Sequence, residues 1–169
     1  VTASPIDVIV EQARRRLYRL RPQEAYAAAA GDALLVDIRP HINRRLEGAI
    51  PGALIIDRNV LEWRLDPASD SHLDVASYDA LVVLFCNEGY ASSLAAASLK
   101  DIGIAAATDM IGGYRAWCAL GLPTVDVSGE DTGTTGGEVV PAMRMRTTAP
   151  GPARTTRSHW ETRRPTTTR

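Results

Sequence analysis

Cysteine is nearly absent from these 169 residues: only Cys86 and Cys118 occur, with three scattered histidines, His41, His72 and His159. So few ligands exclude a disulfide scaffold and a four-thiolate zinc site, and the histidines lack metal-ligand spacing. A pair of free thiols fits a reducing, cytoplasmic setting. Charge of one sign is lacking too, since 19 Lys and Arg oppose 20 Asp and Glu for a net charge of -1. No whole-molecule field draws the chain to nucleic acid, so a purely electrostatic binder is not expected and any basic partner site must be local. Long apolar runs are missing: none reaches the roughly 18 residues that span a bilayer. The first residues, VTASPIDVIVEQARRR, carry their charges after the short apolar stretch, so neither a membrane span nor a secretory signal is expected. Lysine occurs once, at Lys100, and arginine carries the remaining basic charge.

What is present suffices for one domain with a core, because 45% of the residues are hydrophobic and 23% charged. Ile6, Val10, Ala13, Leu17 and Leu20 recur at spacings of three and four, which predicts an amphipathic helix over 1–20. Its other face holds Arg14, Arg15, Arg16 and Arg19, read as a solvated face of a peripheral helix. Pro22 opens a second helix that stops at Gly31. Ala33 to Ile38 and Ala53 to Ile56 are short apolar runs closed by polar residues, the pattern of strands buried on both faces. Asn59 is the expected cap of a brief helix, and 66–79 reads as loop. Ala80 to Phe85 is the strongest strand; a helix follows the cysteine, a weak strand falls within 105–111, and YRAWCAL makes a last helix. Trp63, Trp117 and Cys118 are read as packing residues. Strands alternating with helices on short connections imply an α/β fold, a mainly parallel sheet with helices on both faces.

From residue 125 the chain is rich in Gly, Pro, Thr and Arg with almost no apolar period, which predicts a disordered tail over 125–169. Seven arginines face only Glu161 between 141 and 169. A solvated extension and a tail for nucleic acid or an acidic partner are both open readings.

Parallel strands end at one edge, so Asp37, Asp57 and Cys86 should emerge together where open α/β sheets bind ligands. Cys86 lies between a buried strand and a helix N-terminus, and Gly89 lets the connecting backbone curl around its sulfur as an anion nest. Such a site lowers a cysteine pKa, and the thiolate is the nucleophile. Buried, inert cysteine is the opposing reading of Cys86.

Three stretches together resemble the rhodanese-like (sulfurtransferase) domain family: LLVDIRP followed by EGAIPGALII, the loop and helix CNEGYASSLAAASLKDIGI, and IGGYRAWCALGLP. The resemblance covers 21–124, and RNVLEWRLDP is similar to single-domain members of actinobacterial type. It implies a three-layer rhodanese-like fold and a Cys86 that becomes a persulfide and passes its sulfur on. Thiols and cyanide are the implied acceptors. Asn87, Glu88, Gly89, Tyr90, Ala91 and Ser92 would form the persulfide-binding loop, with Asp37, Arg39 and Arg58 in support. Asp37 and Arg39 are equally read as a structural ion pair. No metal and no cofactor is implied.

Many family members carry a cation where Asn87 and Ala91 stand here, and Glu88 adds a negative charge that Arg39 or Arg58 would offset. A persulfide, small or protein-borne, is therefore the expected donor over thiosulfate. The related Cdc25-type phosphatases end their loop in arginine, and Ser92 stands there instead, which disfavours phosphate chemistry. The alternative function is a binding or redox-sensing module with little turnover.

Overall fold

A computed structural model describes residues 3–127 and the backbone of 138–139. Four parallel strands form where the apolar runs predicted them: β1 (Leu34–Asp37), β2 (Leu54–Ile55), β3 (Val82–Phe85) and β4 (Thr108–Asp109). The sheet order is β4-β3-β1-β2-β5, in which β5 (Glu138–Val139) runs antiparallel to β2. Alternate side chains divide between two cores. Val36, Val82 and Leu84 pack with Leu61, Leu65, Ala95 and Leu99 on one face. Leu35, Val83 and Phe85 pack with Ala25, Tyr114 and Trp117 on the other. Burial on both faces explains why these runs are continuously apolar rather than alternating.

Helices α1 (Pro5–Arg15), α4 (Leu61–Leu65) and α5 (Ala91–Asp101) cover the first face, and α2 (Pro22–Ala29) and α6 (Gly113–Ala119) the second. Ser4 caps α1 by accepting the Asp7 N–H at 3.3 Å, and Pro5 sits at its first turn. The helix ends at Arg15, five residues before the expected end at 20. Leu20 instead bridges Met110 in parallel and extends the sheet edge: its N–H donates to the Asp109 carbonyl at 3.0 Å, and its carbonyl accepts from Ile111 at 2.8 Å. Backbone pairing at that edge outcompetes the helical period. Val10 and Ala13 are buried, whereas Ile6, expected on the same apolar stripe, is exposed.

Residues 41–47, to which the sequence patterns assign no element, form helix α3 (His41–Glu47). This helix has no apolar stripe: Ile42 and Leu46 are exposed, and Arg44 is buried instead, with a hydrogen bond to the Arg39 carbonyl. Asp57, not Asn59, caps the turn Arg58–Val60 that leads into α4, accepting the Asn59 N–H at 2.8 Å. Trp63 is exposed rather than packed, because it lies on the outer side of the single turn of α4. Cys118 is exposed as well, while Trp117 beside it is buried and donates its indole N–H to the Pro123 carbonyl at 2.9 Å.

The ordered fold also runs past the expected boundary at 124. Val125 pairs with Ala49 by two backbone hydrogen bonds of 2.9 Å, and Val127 is buried against Ala49 and Ile55. Glu138 and Val139 then pair with β2. The remaining tail expected to be disordered, including its arginine-rich part, lies outside the described residues. Among the described residues no helix is long and apolar enough to cross a membrane.

Candidate active site

Register places the site. Asp37 pairs with Phe85, so the residues that follow, Ile38 and Cys86, leave the sheet side by side at its carboxyl edge. Cys86 opens a loop that turns at Gly89, φ +78°, and enters α5 at Ala91. The Gly89 N–H donates to the Cys86 sulfur at 3.2 Å, and the Ser92 hydroxyl lies 3.4 Å from it. From behind, the loop hangs on α6: Tyr114 and Arg115 donate their N–H groups to the carbonyls of Cys86 and Asn87 at 2.8 and 3.1 Å.

Burial pushes the Cys86 thiol up, but hydrogen bonds from the Ser92 hydroxyl and from the N–H groups of Ser92, Glu88 and Gly89 outweigh it. The thiol is held below its ordinary value. The sulfur therefore sits in a ring of donors that favours its thiolate form, with the Gly89 N–H and the Ser92 hydroxyl within reach.

A cleft of about 400 Å³ opens over the sulfur. Of the loop residues expected at the site, Cys86, Asn87, Glu88, Tyr90 and Ala91 line it, and Arg39 and Arg58 line the facing wall. Gly89 and Ser92 lie beneath, holding the sulfur. Asp37 stays behind the cleft, where both it and Arg39 are buried. Their ion pair uses two Arg39 nitrogens, at 2.7 and 3.1 Å, and a third bond runs from Arg39 to the Gly48 carbonyl at 2.9 Å. The guanidinium also lies 3.6 Å from the Tyr114 ring centre. This is the structural ion pair of the sequence reading, and it ties the end of β1 to α6. Arg58 bonds Glu62 at 2.9 Å and keeps 40% of its side chain exposed.

Glu88 is balanced by neither Arg39 nor Arg58. Its partner is Arg115, on the first turn of α6, through an exposed ion pair. Asn87 reaches Glu47 at 3.4 Å, so α3 braces the other side of the loop.

Four further residues at the loop went unread in the sequence. Arg14, expected on a solvated face, donates to the Gly89 carbonyl at 2.8 Å and to the Ser93 hydroxyl at 3.2 Å. Arg19 holds the buried Asp109 through two nitrogens, at 2.7 and 3.0 Å, and also reaches the Gly89 carbonyl at 3.2 Å. Ser92 and Ser93 both approach Asp109 Oδ2, at 3.1 and 2.8 Å. A carboxylate inside an apolar strand was the available signal, since a buried charge requires a partner. Nothing in the helical period named that partner.

Removing the Ser92 hydroxyl isolates its share of this stabilisation. The folded protein keeps the thiolate at a pH where the unfolded chain binds a proton. That linkage stabilises the fold above the unfolded pKa and is lost as pH falls through the folded one. Alkylation of Cys86, followed at its own peptide by mass spectrometry, should therefore persist to lower pH than in urea-unfolded protein. Ser92→Ala should move that profile upward and slow alkylation about ten-fold at pH below the midpoint, the worth of one hydrogen bond to a charge. An unmoved profile would show that the backbone N–H groups suffice.

A mainly parallel sheet with a cysteine at a strand end, cradled by backbone donors that lead into a helix, fits the rhodanese-like domain, and the chain belongs to that family: the rhodanese-like domain matches residues 21–120. Among characterised relatives, two maize proteins called adenylyltransferase and sulfurtransferase MOCS3-2 and MOCS3-1 are 31% and 30% identical over 115 residues, 68% of this chain. The chain spans about a quarter of their length, 23% and 24%. A Rhodopseudomonas palustris protein of unknown function, described as a possible tyrosine phosphatase, superposes with a TM-score of 0.67 at 28% identity over 74% of this chain and 97% of its own. The polysulfide-sulfur transferase homodimer of Wolinella succinogenes gives 0.56 at 26% identity, covering 73% and 89%. A human single-domain sulfurtransferase, TSTD1, gives 0.51 at 26% identity, covering 60% and 95%.

Proposed function

We propose that this protein is a sulfurtransferase that carries a sulfane sulfur as a persulfide on Cys86. The observation that bears most weight is the Cys86 sulfur at the floor of an open cleft, with hydroxyl and N–H donors aimed at it. Sulfurtransferases among its relatives support the reaction class.

The Cys86 thiolate attacks the outer sulfur of a donor persulfide, R–S–S⁻. A bond forms between the two sulfurs, the donor S–S bond breaks, and R–S⁻ leaves with the electron pair. Charge is conserved, and the product Cys86–S–S⁻ presents its anion to the same donors. An acceptor thiolate or cyanide then attacks the terminal sulfur, takes it as a new persulfide or thiocyanate, and returns Cys86 to thiolate.

Charge in the cleft favours a monoanionic persulfide, on a small molecule or a carrier protein, over the thiosulfate dianion. Ile38, Pro40, Tyr90 and Ala91 supply apolar walls, Arg39 is spent on Asp37, and only Arg58 presents an exposed guanidinium. The Glu88–Arg115 pair at the rim adds no net positive charge to attract a second negative one. Loading Cys86 from glutathione persulfide should therefore be about ten-fold faster than from thiosulfate at equal concentration, read as intact-mass adduct against time. Equal rates would remove the charge argument. No adduct from either donor on folded protein would turn the reading to a binding or redox-sensing module.

Phosphate chemistry has less support. The sixth residue after Cys86 is Ser92, whose hydroxyl points at the sulfur, so the loop offers no guanidinium to clamp a phosphoryl group.

A further inference from the structure

The loop from Cys86 to Ser92 contains no lysine or arginine and one glutamate, yet two guanidinium groups meet its underside. Both come from the N-terminal segment, before the family match begins at residue 21. Their geometry decides where two hydroxyl protons go.

Ser93 has one hydroxyl proton and two acceptors within reach, the Gly89 carbonyl at 3.0 Å and Asp109 Oδ2 at 2.8 Å. Ser92 has one proton and two candidates as well, Asp109 Oδ2 at 3.1 Å and the Cys86 sulfur at 3.4 Å. Arg14 and Arg19 satisfy the Gly89 carbonyl at 2.8 and 3.2 Å, which frees the Ser93 proton for Asp109. Asp109 then accepts from Ser93 and from two nitrogens of Arg19. It no longer needs the longer bond from Ser92, whose proton is left for the sulfur. The Arg14 Nε donates into the Ser93 oxygen at 3.2 Å and fixes the same direction.

We propose that Arg14 and Arg19 are positioning residues for Cys86: by saturating Gly89 and Asp109 they direct the Ser92 hydroxyl proton onto the cysteine sulfur anion. Neither touches the reacting sulfur. The two arginines also hold the carbonyl of Gly89, whose own N–H bonds the sulfur, and so fix the turn of the nest. α1 is thereby a working part of the site, docked through α5 rather than appended to the domain. Asp109, fully buried at the end of β4, is the hub that joins it to the loop.

The inference rests on the sulfur-transfer reading for its purpose, but its test does not require transfer to occur. Arg14→Met retains the aliphatic stem and removes both donors. The readout is the pH profile of Cys86 alkylation by iodoacetamide, followed at the Cys86 peptide so that Cys118 does not contribute. Arg14→Met is expected to move the profile upward and to slow alkylation about five-fold below the midpoint, with the limiting rate at high pH unchanged. Arg15→Met, whose exposed parent pairs with Glu11 among the described residues, is the control and should leave the profile in place.

The decisive comparison is made in the Ser92→Ala background. If the arginine acts through the Ser92 proton, adding Arg14→Met there changes nothing further; an undiminished second effect would overturn the proposal. So would a folded Arg14→Met protein with the wild-type profile. Arg19→Lys is the second variant: it keeps a cation for Asp109 without the fork that also reaches Gly89, and should give a partial shift. Sulfur loading of the wild type is measured in parallel. Shifted profiles with no loading would sink the transferase reading alone, and loading with unshifted profiles would sink this one alone.

Discussion

Cys86→Ser is expected to abolish sulfur loading, at least about 10³-fold in rate, while leaving the fold in place. Serine nearly matches cysteine in size, and Cys86 is half-buried at the margin of one core rather than enclosed in it, so stability should change little. Chemistry changes entirely, because the donors around position 86 hold a thiol below its ordinary pKa, and the same donors leave a far less acidic hydroxyl protonated. Wild-type protein given glutathione persulfide should gain about 32 Da, removable by a thiol reductant. Cys86→Ser should gain nothing. Exposed Cys118 makes the control necessary, and Cys118→Ser should load like wild type. A labile adduct surviving in Cys86→Ser would transfer the role to Cys118.

Gly113→Ala should be the most damaging single methyl group in the domain. Gly113 has φ +60°, which costs an L-residue about 1–2 kcal/mol. Its added Cβ would strike the Cys86 carbonyl oxygen and would meet the carbonyl carbon and oxygen of Asn87 at 2.7 Å. All three are backbone atoms, so no rotamer change relieves the collision. The loop has to move away from α6, breaking the hydrogen bonds from Tyr114 and Arg115 that hold it. We expect a loss of about 3–5 kcal/mol in chemical denaturation and a melting temperature lower by on the order of 10 °C. Residual folded protein should also alkylate at Cys86 more slowly, since the nest is built on the displaced carbonyls. An unchanged denaturation midpoint would mean that the loop and α6 separate freely, and the supporting role given to α6 would fall.

The two substitutions divide the site between chemistry and support, and the support is where sequence reading thinned out. Cys86, Asn87, Glu88, Tyr90 and Ala91 were legible because they are consecutive: a strand that ends in a cysteine and turns through glycine into a helix brings its own neighbours together. The ion pair between Asp37 and Arg39 was legible for the same reason, two residues apart at a strand end. Glu88 shows the limit. Its charge was plain, but its partner was sought at the neighbouring strand ends and stands on α6, 27 residues away in sequence. Arg14 and Arg19 show it more sharply, reaching Gly89 across 75 and 70 residues. In the helical period they look like any solvated arginines.

The sequence by itself determined the α/β layering, the family, and the strand end from which Cys86 emerges. Each follows from short-range patterns: apolar runs of strand length, helix stops at glycine, and a contiguous loop. The tertiary structure alone decided which charges meet that loop, that α3 exists without an apolar stripe, and that residues 125–127 belong to the domain. The reason is physical: an arginine's reach and a buried carboxylate's need for a partner are fixed in space, and periodicity carries no record of which distant element will stand beside them.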